Sequence, residues 1–251
     1  MAPLPARADR MLDTLRQLGW RDGAWHACAR LLQAVPGGRC ALHRYRFVAQ
    51  PVVPGSLCKG RGQAIVVTPC LAAQDLPGGP VRPRQVLDQR YRQGAQCLLA
   101  RTSDTGPGMA GWLWLLRGAC QEDEVRARYM LAPQASWDLD VWIEPAQRGA
   151  LVFARLWEAA NALLHAQGVR WCCSRIAASN HASLAAHARL GAVALGSAVF
   201  LRCGRWQWMA STLPPYLHLS RHPASFPVFS FDSRILPATP PLEPPCNKPT
   251  P

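Results

Sequence analysis

The stretch Trp137-Asp138-Leu139-Asp140-Val141-Trp142-Ile143-Glu144-Pro145-Ala146-Gln147-Arg148-Gly149, followed by an apolar run from Leu151, decides how this sequence folds. Alternating apolar and polar side chains over Trp137 to Ile143 predict a strand, and Pro145, which has no backbone N–H for a ladder, stops it. From Leu151 to Gln167 the period changes: Phe153, Leu156, Trp157, Ala160, Leu163 and Leu164 fall on one face of a helix that Gly168 ends. A strand feeding a helix through a short turn aims several backbone N–H groups at one point, where the helix dipole also favours an anion. Arg148 stands at that helix start.

Downstream, Val169 to Ile176 is short and apolar, as a buried strand would be. Asn180 to Leu190 predicts a second helix, with Asn180 as its N-cap and Gly191 just past its end. Asn180, Ser183 and His187 share one stripe of that helix, so an amide, a hydroxyl and an imidazole face the same way. Spacing alone also fits a capped helix whose His187 is half-buried and structural. Ala192 to Leu201 and Trp206 to Met209 predict a closing hairpin over Cys203-Gly204.

Upstream, Arg84 to Gln93 is a polar helix candidate. Gln96 to Arg101 and Gly111 to Gly118 predict a hairpin across the turn cluster Ser103 to Gly108. An acidic loop, Gln121-Glu122-Asp123-Glu124, leads into a strand candidate from Val125 to Leu131. Helical spacing recurs over Met11 to Leu18 and again from Trp25 to Leu32, and Cys40 to Val53 alternates weakly as a strand. Residues 54 to 83 are rich in Gly and Pro around Ala64-Ile65-Val66-Val67. Eleven of the last forty residues are Pro, so residues 213–251 are expected as a mostly irregular tail, with Tyr216 to Phe231 packing back. The expected organisation is residues 1–83 packed on a main domain, 84–212 as that domain, and 213–251 as the tail.

At 251 residues with 49% apolar side chains and ten tryptophans, the chain can bury a sizeable core. The formal net charge is +13, and nearly all of it is Arg, since Lys occurs only at Lys59 and Lys248. Arg is the better fork-shaped donor to carboxylate and phosphate, which points to an anionic ligand or partner. The arginines are spread rather than clustered and no nucleic-acid motif is present, which argues against a nucleic-acid binder. The ten cysteines include no Cys-x-x-Cys pair, so a metal site is not expected. No stretch approaches 18 apolar residues, and the first twenty residues carry Arg7, Asp9, Arg10, Asp13 and Arg16; a membrane span and a secretory signal are not expected, and a reducing cytoplasm fits best.

Here the chain resembles the GNAT acyltransferase superfamily. Its members follow the central strand with a phosphate-binding turn and helix, a further strand, and a helix of pattern Asn-x-x-Ala/Ser-x-x-x-Tyr-x-x-Leu-Gly-Phe. This sequence has Asn180, Ser183, His187, Leu190 and Gly191 at those spacings, with Pro145 and Arg148-Gly149 upstream. The resemblance covers roughly residues 84 to 210. It implies an α/β (α+β) fold with a mixed, mostly antiparallel central sheet flanked by helices, and an N-acyltransferase using acetyl-coenzyme A or another acyl-coenzyme A. It further implies that Val141, Trp142 and Ile143 splay from the strand Val169 to Ser174 and expose backbone groups to the pantetheine amides. The turn Gln147, Arg148, Gly149, Ala150 to Val152 would cradle the pyrophosphate, and Asn180 and Ser183 would face the pantetheine arm. His187 stands where the family has the tyrosine that protonates the departing thiolate. Leu151 and Phe153 replace small residues of the family's turn, and Ala192 an aromatic.

Attack of an amine on a thioester needs a general base, a donor to the carbonyl oxygen and a proton source for sulfur. The candidate bases are Asp138, Asp140 and Glu124. Asp138 and Asp140, two apart on a strand, are expected on one face, where like charges would raise one pKa. Glu122 and Asp123 look like ordinary loop charge, and each carboxylate also fits a solvated partner of an arginine. The oxygen donor is expected to be a backbone N–H near Trp142 or Ile143. Trp112, Trp114, Trp137 and Trp142 could line an acceptor pocket, although on a twisted sheet such residues more often form core. The expected acceptor is a small-molecule amine or amino sugar; two alternatives are a donor carried by an acyl carrier protein or a long-chain acyl-coenzyme A, and a non-catalytic scaffold of the same fold.

Overall fold

The computed structural model describes residue 25 and residues 40–72, 76, 82–102, 109–149, 151–232 and 234–237. The N-terminal helical runs other than Trp25, the turn at 103–108, Ala150 and residues 238–251 lie outside the described residues.

In chain order the elements are β1 (Cys40–Pro51), β2 (Ile65–Cys70), α1 (Arg84–Arg92), β3 (Gln96–Thr102), β4 (Met109–Arg117), β5 (Ala119–Gln121), β6 (Arg128–Leu131) and β7 (Ala135–Ile143). There follow α2 (Val152–Ala166), β8 (Trp171–Ala177), α3 (His181–Arg189), β9 (Val193–Cys203), β10 (Trp206–Ser211), β11 (Leu217–Ser220) and β12 (Val228–Phe231). Nine strands form one sheet in the order β11-β10-β9-β1-β8-β7-β4-β3-β2. Every neighbouring pair in it is antiparallel except β7 with β8. The expected mixed, mostly antiparallel sheet flanked by helices is therefore present.

Strand β1 sits between β8 and β9, pairing Tyr45 with Ala177 on one side and Cys40 with Cys203 on the other. The sheet thus draws on residues from both sides of position 84. The Pro-rich tail is more regular than expected over its described part. Leu217–Ser220 extends the large sheet, and Val228–Phe231 pairs in parallel with β6 in a second, three-stranded sheet. The strand expected over Val125 to Leu131 is shorter, Arg128–Leu131, and belongs to that second sheet.

One face of the large sheet is covered by α2, which buries Leu156, Trp157, Ala160 and Leu164 against Leu98, Leu113 and Cys172. Each large side chain so buried contributes about 1.5–3 kcal/mol. The helix stops where Gly168, at φ +74°, lets the Val169 N–H reach the Leu164 carbonyl and the Gly168 N–H the His165 carbonyl. Gly191, at φ +81°, ends α3 in the same way, with Ala192 bonded to His187. The opposite face carries the second sheet, whose Tyr129, Phe229 and Phe231 pack on Phe47 and Trp137. Trp112, Trp114 and Trp137 are at most 2% exposed, so they are core rather than acceptor-pocket walls.

Candidate functional site

The two central strands run side by side only briefly. Ala135 to Asp138 pair with Trp171 to Ser174, and beyond that point β7 stays with β4 as far as Ile143 while β8 stays with β1 as far as Ala177. Leu139 to Ile143 and Arg175 to Ala177 therefore face each other across a gap with unshared backbone edges. The parting coincides with a bulge: Trp114 pairs with Asp140 but Leu115 pairs with Asp138, leaving Leu139 as an extra residue.

The bulge overturns the expectation that Asp138 and Asp140 share a face. An extra residue shifts the alternation by one, so two positions of equal parity end on opposite sides of the sheet. Asp138 turns toward α3 and accepts a hydrogen bond from Ser174 Oγ at 3.0 Å. Asp140 turns toward α1, where Arg82 donates to both its oxygens (3.1 and 2.9 Å) and Arg90 to one (3.0 Å).

A cleft of about 380 Å³ occupies the gap, lined among others by Asp138, Asp140, Val141, Asn180, Ser183 and His187, and reaching Asp123 and Glu124. Val141, Asn180, Ser183, His187 and the three candidate bases are thus brought together. Trp142, Ile143, Gln147, Arg148 and Gly149 lie outside its walls. In the turn, Pro145–Gln147 forms one 3-10 turn, Arg148 is extended and Gly149 is at φ +88°. Helix α2 begins without a side-chain cap and without an acidic residue in its first turn, so its first N–H groups have no partner within the helix. The bulk of Leu151 is directed at Gly62, whose Cβ position lies 3.2 Å from it.

Asn180 caps α3 as expected: its Oδ1 accepts from the Ser183 N–H at 3.0 Å. His187 is 1% exposed, with its ring edge-on to Phe153 and Trp157 of α2. Its Nδ1 is 2.8 Å from Gln50 Oε1, which makes Nδ1 the protonated nitrogen, and Nε2 lies 3.8 Å from Asp138 Oδ2. Burial pushes its pKa down to about 4. The imidazolium expected as the acid for sulfur is therefore absent at neutral pH, because a charged ring in this buried seat would lose its hydration.

The three carboxylates separate by environment. Burial pushes Asp138 up to about 7, against the hydrogen bond from Ser174, and its Oδ1 is buried with no partner among the described residues. Burial would raise Glu124 too, but Arg175 and the Tyr45 hydroxyl (2.8 Å to each) outweigh it and hold it below the usual range. Asp140 has both oxygens committed to arginine forks. Glu122 corrects a further expectation. It is not ordinary loop charge but a buried carboxylate, paired through Arg175 Nε at 2.7 Å and Nη2 at 2.9 Å, and burial lifts it to about 7. Asp123 accepts from Arg90 at 3.3 Å.

Sequence reasoning missed Gln50, Arg90, Ser174 and Arg175. Arg175 carried a signal, as one of two charges, with Arg170, inside the otherwise apolar run Val169 to Ile176. Gln50 carried none.

The arrangement defines a GNAT-like fold: an antiparallel run of strands, a strand–turn–helix, a parallel neighbour that splays from it, and a capped Asn-x-x-Ser helix. No family model and no curated protein matches the chain. Among solved structures it is similar to a functionally unknown conserved protein from Staphylococcus epidermidis, at 9% identity and a TM-score of 0.45 over 70% of this chain and 67% of that one. It is also similar to a tandem GNAT protein from the clavulanic acid biosynthesis pathway, at 17% identity and a TM-score of 0.41, covering 69% of this chain and 55% of that one. A third is a putative GNAT-family acetyltransferase from Novosphingobium aromaticivorans, at 17% identity and a TM-score of 0.39 over 73% and 81%. The chain spans little more than half the length of the tandem protein. These likenesses are remote, and the functional reading rests on the geometry of the cleft.

Proposed function

We propose that the protein is an N-acyltransferase that moves an acyl group from a coenzyme A thioester to the amine of a small molecule, in the cytoplasm. One observation carries this reading: β7 and β8 part at Asp138 and Ser174, and burial lifts the carboxylate at that vertex to about 7.

The walls fit the carrier. The unshared edges of Leu139 to Ile143 and Arg175 to Ala177 present the N–H and C=O groups that an amide-bearing arm requires. Ser183 and the amide nitrogen of Asn180 stand on the opposite wall, since only the Asn180 oxygen is used by the cap. The N–H groups of Gly149 and of the first turn of α2, with Arg148 beside them, would face the pyrophosphate. When bound, the thioester supplies an electrophilic carbonyl and a thiol leaving group.

Asp138 then acts on the acceptor. A base with pKa about 7 is half ionised at neutral pH and can take the proton of an attacking amine, directly or through one water. The same acid, once protonated, could return that proton to a departing thiolate, whose own pKa would be about 8.5. His187, neutral and anchored on Gln50, fixes the wall beside Asp138. The unpaired residue of the bulge, Leu139, has a backbone N–H that can face the carbonyl oxygen.

A second reading has its own observation. Phe153, Trp157 and His187 pack α2 against α3, filling space between the two helices that flank the gap. This favours a non-catalytic binding module. Thermal unfolding with acetyl-, medium-chain and long-chain acyl-coenzyme A separates the two. A ligand at a hundred times its Kd should stabilise by about 2.7 kcal/mol. A shift with acetyl-coenzyme A together with amine-dependent thiol release supports the enzyme. A shift with long-chain esters alone moves the reading to a long-chain or carrier-protein donor. No shift with any ester overturns coenzyme A binding.

A further inference from the structure

A second and larger cavity, about 780 Å³, lies across Asp123 and Glu124 from the cleft; both residues line the two spaces. Arg126, Arg202, Arg205 and Arg221 line it together with the acidic loop. Their guanidinium groups are not spent on carboxylates. Arg126 donates to the carbonyls of Arg205 (2.9 Å) and Ser220 (3.2 Å), and Arg202 to the carbonyl of Glu124 (2.7 Å). Arg221 lies over the ring of Trp206 at 5.6 Å. Among the described residues none of the four forms an ion pair, and partial burial, followed by the charge of Arg202, lowers the pKa of Arg126, as expected for a cation without a carboxylate partner.

The carboxylates that line it are already matched elsewhere: Glu122 and Glu124 by Arg175, Asp123 by Arg90. The cavity therefore holds guanidinium groups without a carboxylate partner beside a rim, Asp123 and Glu124, that it shares with the cleft. Such a field orients a molecule carrying an anion at one end and a cation at the other. Arginine forks suit carboxylate and phosphate alike.

We infer that this cavity seats the acceptor, and that the acceptor is an amine bearing an anionic group, a carboxylate or a phosphate, held by Arg126, Arg202 and Arg205. Its amine points across Asp123 and Glu124 toward Asp138. This rests on the acyl-transfer reading. In the transfer a nitrogen–carbon bond forms, the carbon–sulfur bond of the acyl thioester breaks, and the proton lost by the amine ends on the thiol. Products are an N-acylated acid and free thiol, with no change of oxidation state.

Three probes of matched length test it: aminohexanoate, aminohexyl phosphate and hexylamine. Binding is read by calorimetry on the protein without donor, and turnover by thiol release with acetyl-coenzyme A. Arg202→Gln and Arg205→Gln serve as variants, because both residues are solvent-exposed. Losing one charge-assisted contact of about 1.5 kcal/mol or more should weaken an anionic amine about tenfold. Hexylamine should be unaffected. Preference between the carboxylate and phosphate probes identifies the anion. Equal binding of all three probes, or variants that bind the anionic amines as wild type does, overturns the assignment. Arginine-dependent binding without turnover on any donor keeps the cavity's role and sinks the acyl-transfer reading instead; turnover of hexylamine alone does the reverse.

Discussion

Replacing Asp138 by Asn should make the protein more stable at alkaline pH while it abolishes turnover. The folded-state pKa of Asp138 is raised from 3.8 to about 7 by burial. Between those values the folded protein holds a proton that the unfolded chain releases, so this group's contribution is fully present below 3.8 and is lost as pH rises through about 7. At about 1.4 kcal/mol per unit, the full cost of ionising it in place is about 4 kcal/mol, reached above pH 8. Asn keeps the shape and can keep the Ser174 contact, but has nothing to ionise. Urea unfolding at a series of pH values should show the stability gap between variant and wild type widening by about 2 kcal/mol from about pH 5.5 to pH 8.5. The comparison removes Glu122, which is also raised to about 7 but is common to both proteins. It removes His187 as well. With its pKa lowered to about 4, His187 destabilises the fold only as pH falls below about 6.5. Turnover in the wild type should rise through pH 7, and in the variant fall by about 10²- to 10⁴-fold. A stability gap that stays flat across this range would show that Asp138 titrates as an ordinary surface carboxylate, and the assignment of the base would go with it.

Three further substitutions probe the frame around it. Asn180→Ala removes the cap that receives the Ser183 N–H, which should cost about 1 kcal/mol in chemical denaturation and weaken coenzyme A binding, since α3 forms one wall. Arg175→Met leaves Glu122, whose side chain is 5% exposed, without its counterion. A loss of about 3 kcal/mol is expected above pH 7, shrinking as Glu122 protonates below it; a loss independent of pH would argue that the pair contributes packing alone. Gly111→Ala would place a Cβ 2.6 Å from the Trp142 carbonyl oxygen on the strand that frames the gap. Strain of about 1–3 kcal/mol should appear in the melting temperature, and an unshifted melt would show that β4 and β7 can move apart freely.

Most elements from Arg84 to Ser211 were legible through a local period with a stop signal near its end, but the short β5 (Ala119–Gln121) was not, and β6 was read too long. Leu156, Trp157 and Leu164 mark α2, and Gly168 and Gly191 terminate both helices through positive φ. The splay of β7 from β8 came through the resemblance, not through the residues. Position in the sheet was not legible, because nothing in the alternation of Cys40 to Pro51 says that it slots between β8 and β9. Pairing depends on contacts more than a hundred residues away, and a strand with both neighbours in place resembles any other from its own sequence. The same holds for the charges. Arg90 on α1 and Asp140 on β7 are fifty residues apart, and only the folded chain shows that the pair closes over the ring of Trp114.

The bulge at Leu139 is the most consequential feature hidden from the sequence. Trp137-Asp138-Leu139-Asp140-Val141 alternates without a break, so a regular strand would set both aspartates side by side. Sharing one environment, the two would then not be distinguishable. Inserting one unpaired residue sends them to opposite faces and gives them opposite partners. Asp140 receives two arginines, and Asp138 receives one hydroxyl and no cation. Asp140 has both oxygens committed to guanidinium forks, whereas burial, with the charge of Asp140 added to it, lifts Asp138 to about 7, where it exchanges a proton near neutrality. The bulge also breaks the ladder at the last residue β7 shares with β8. One local irregularity therefore opens the gap and selects which acid faces into it, which ties the cleft's shape and its proton chemistry to the same point in the chain.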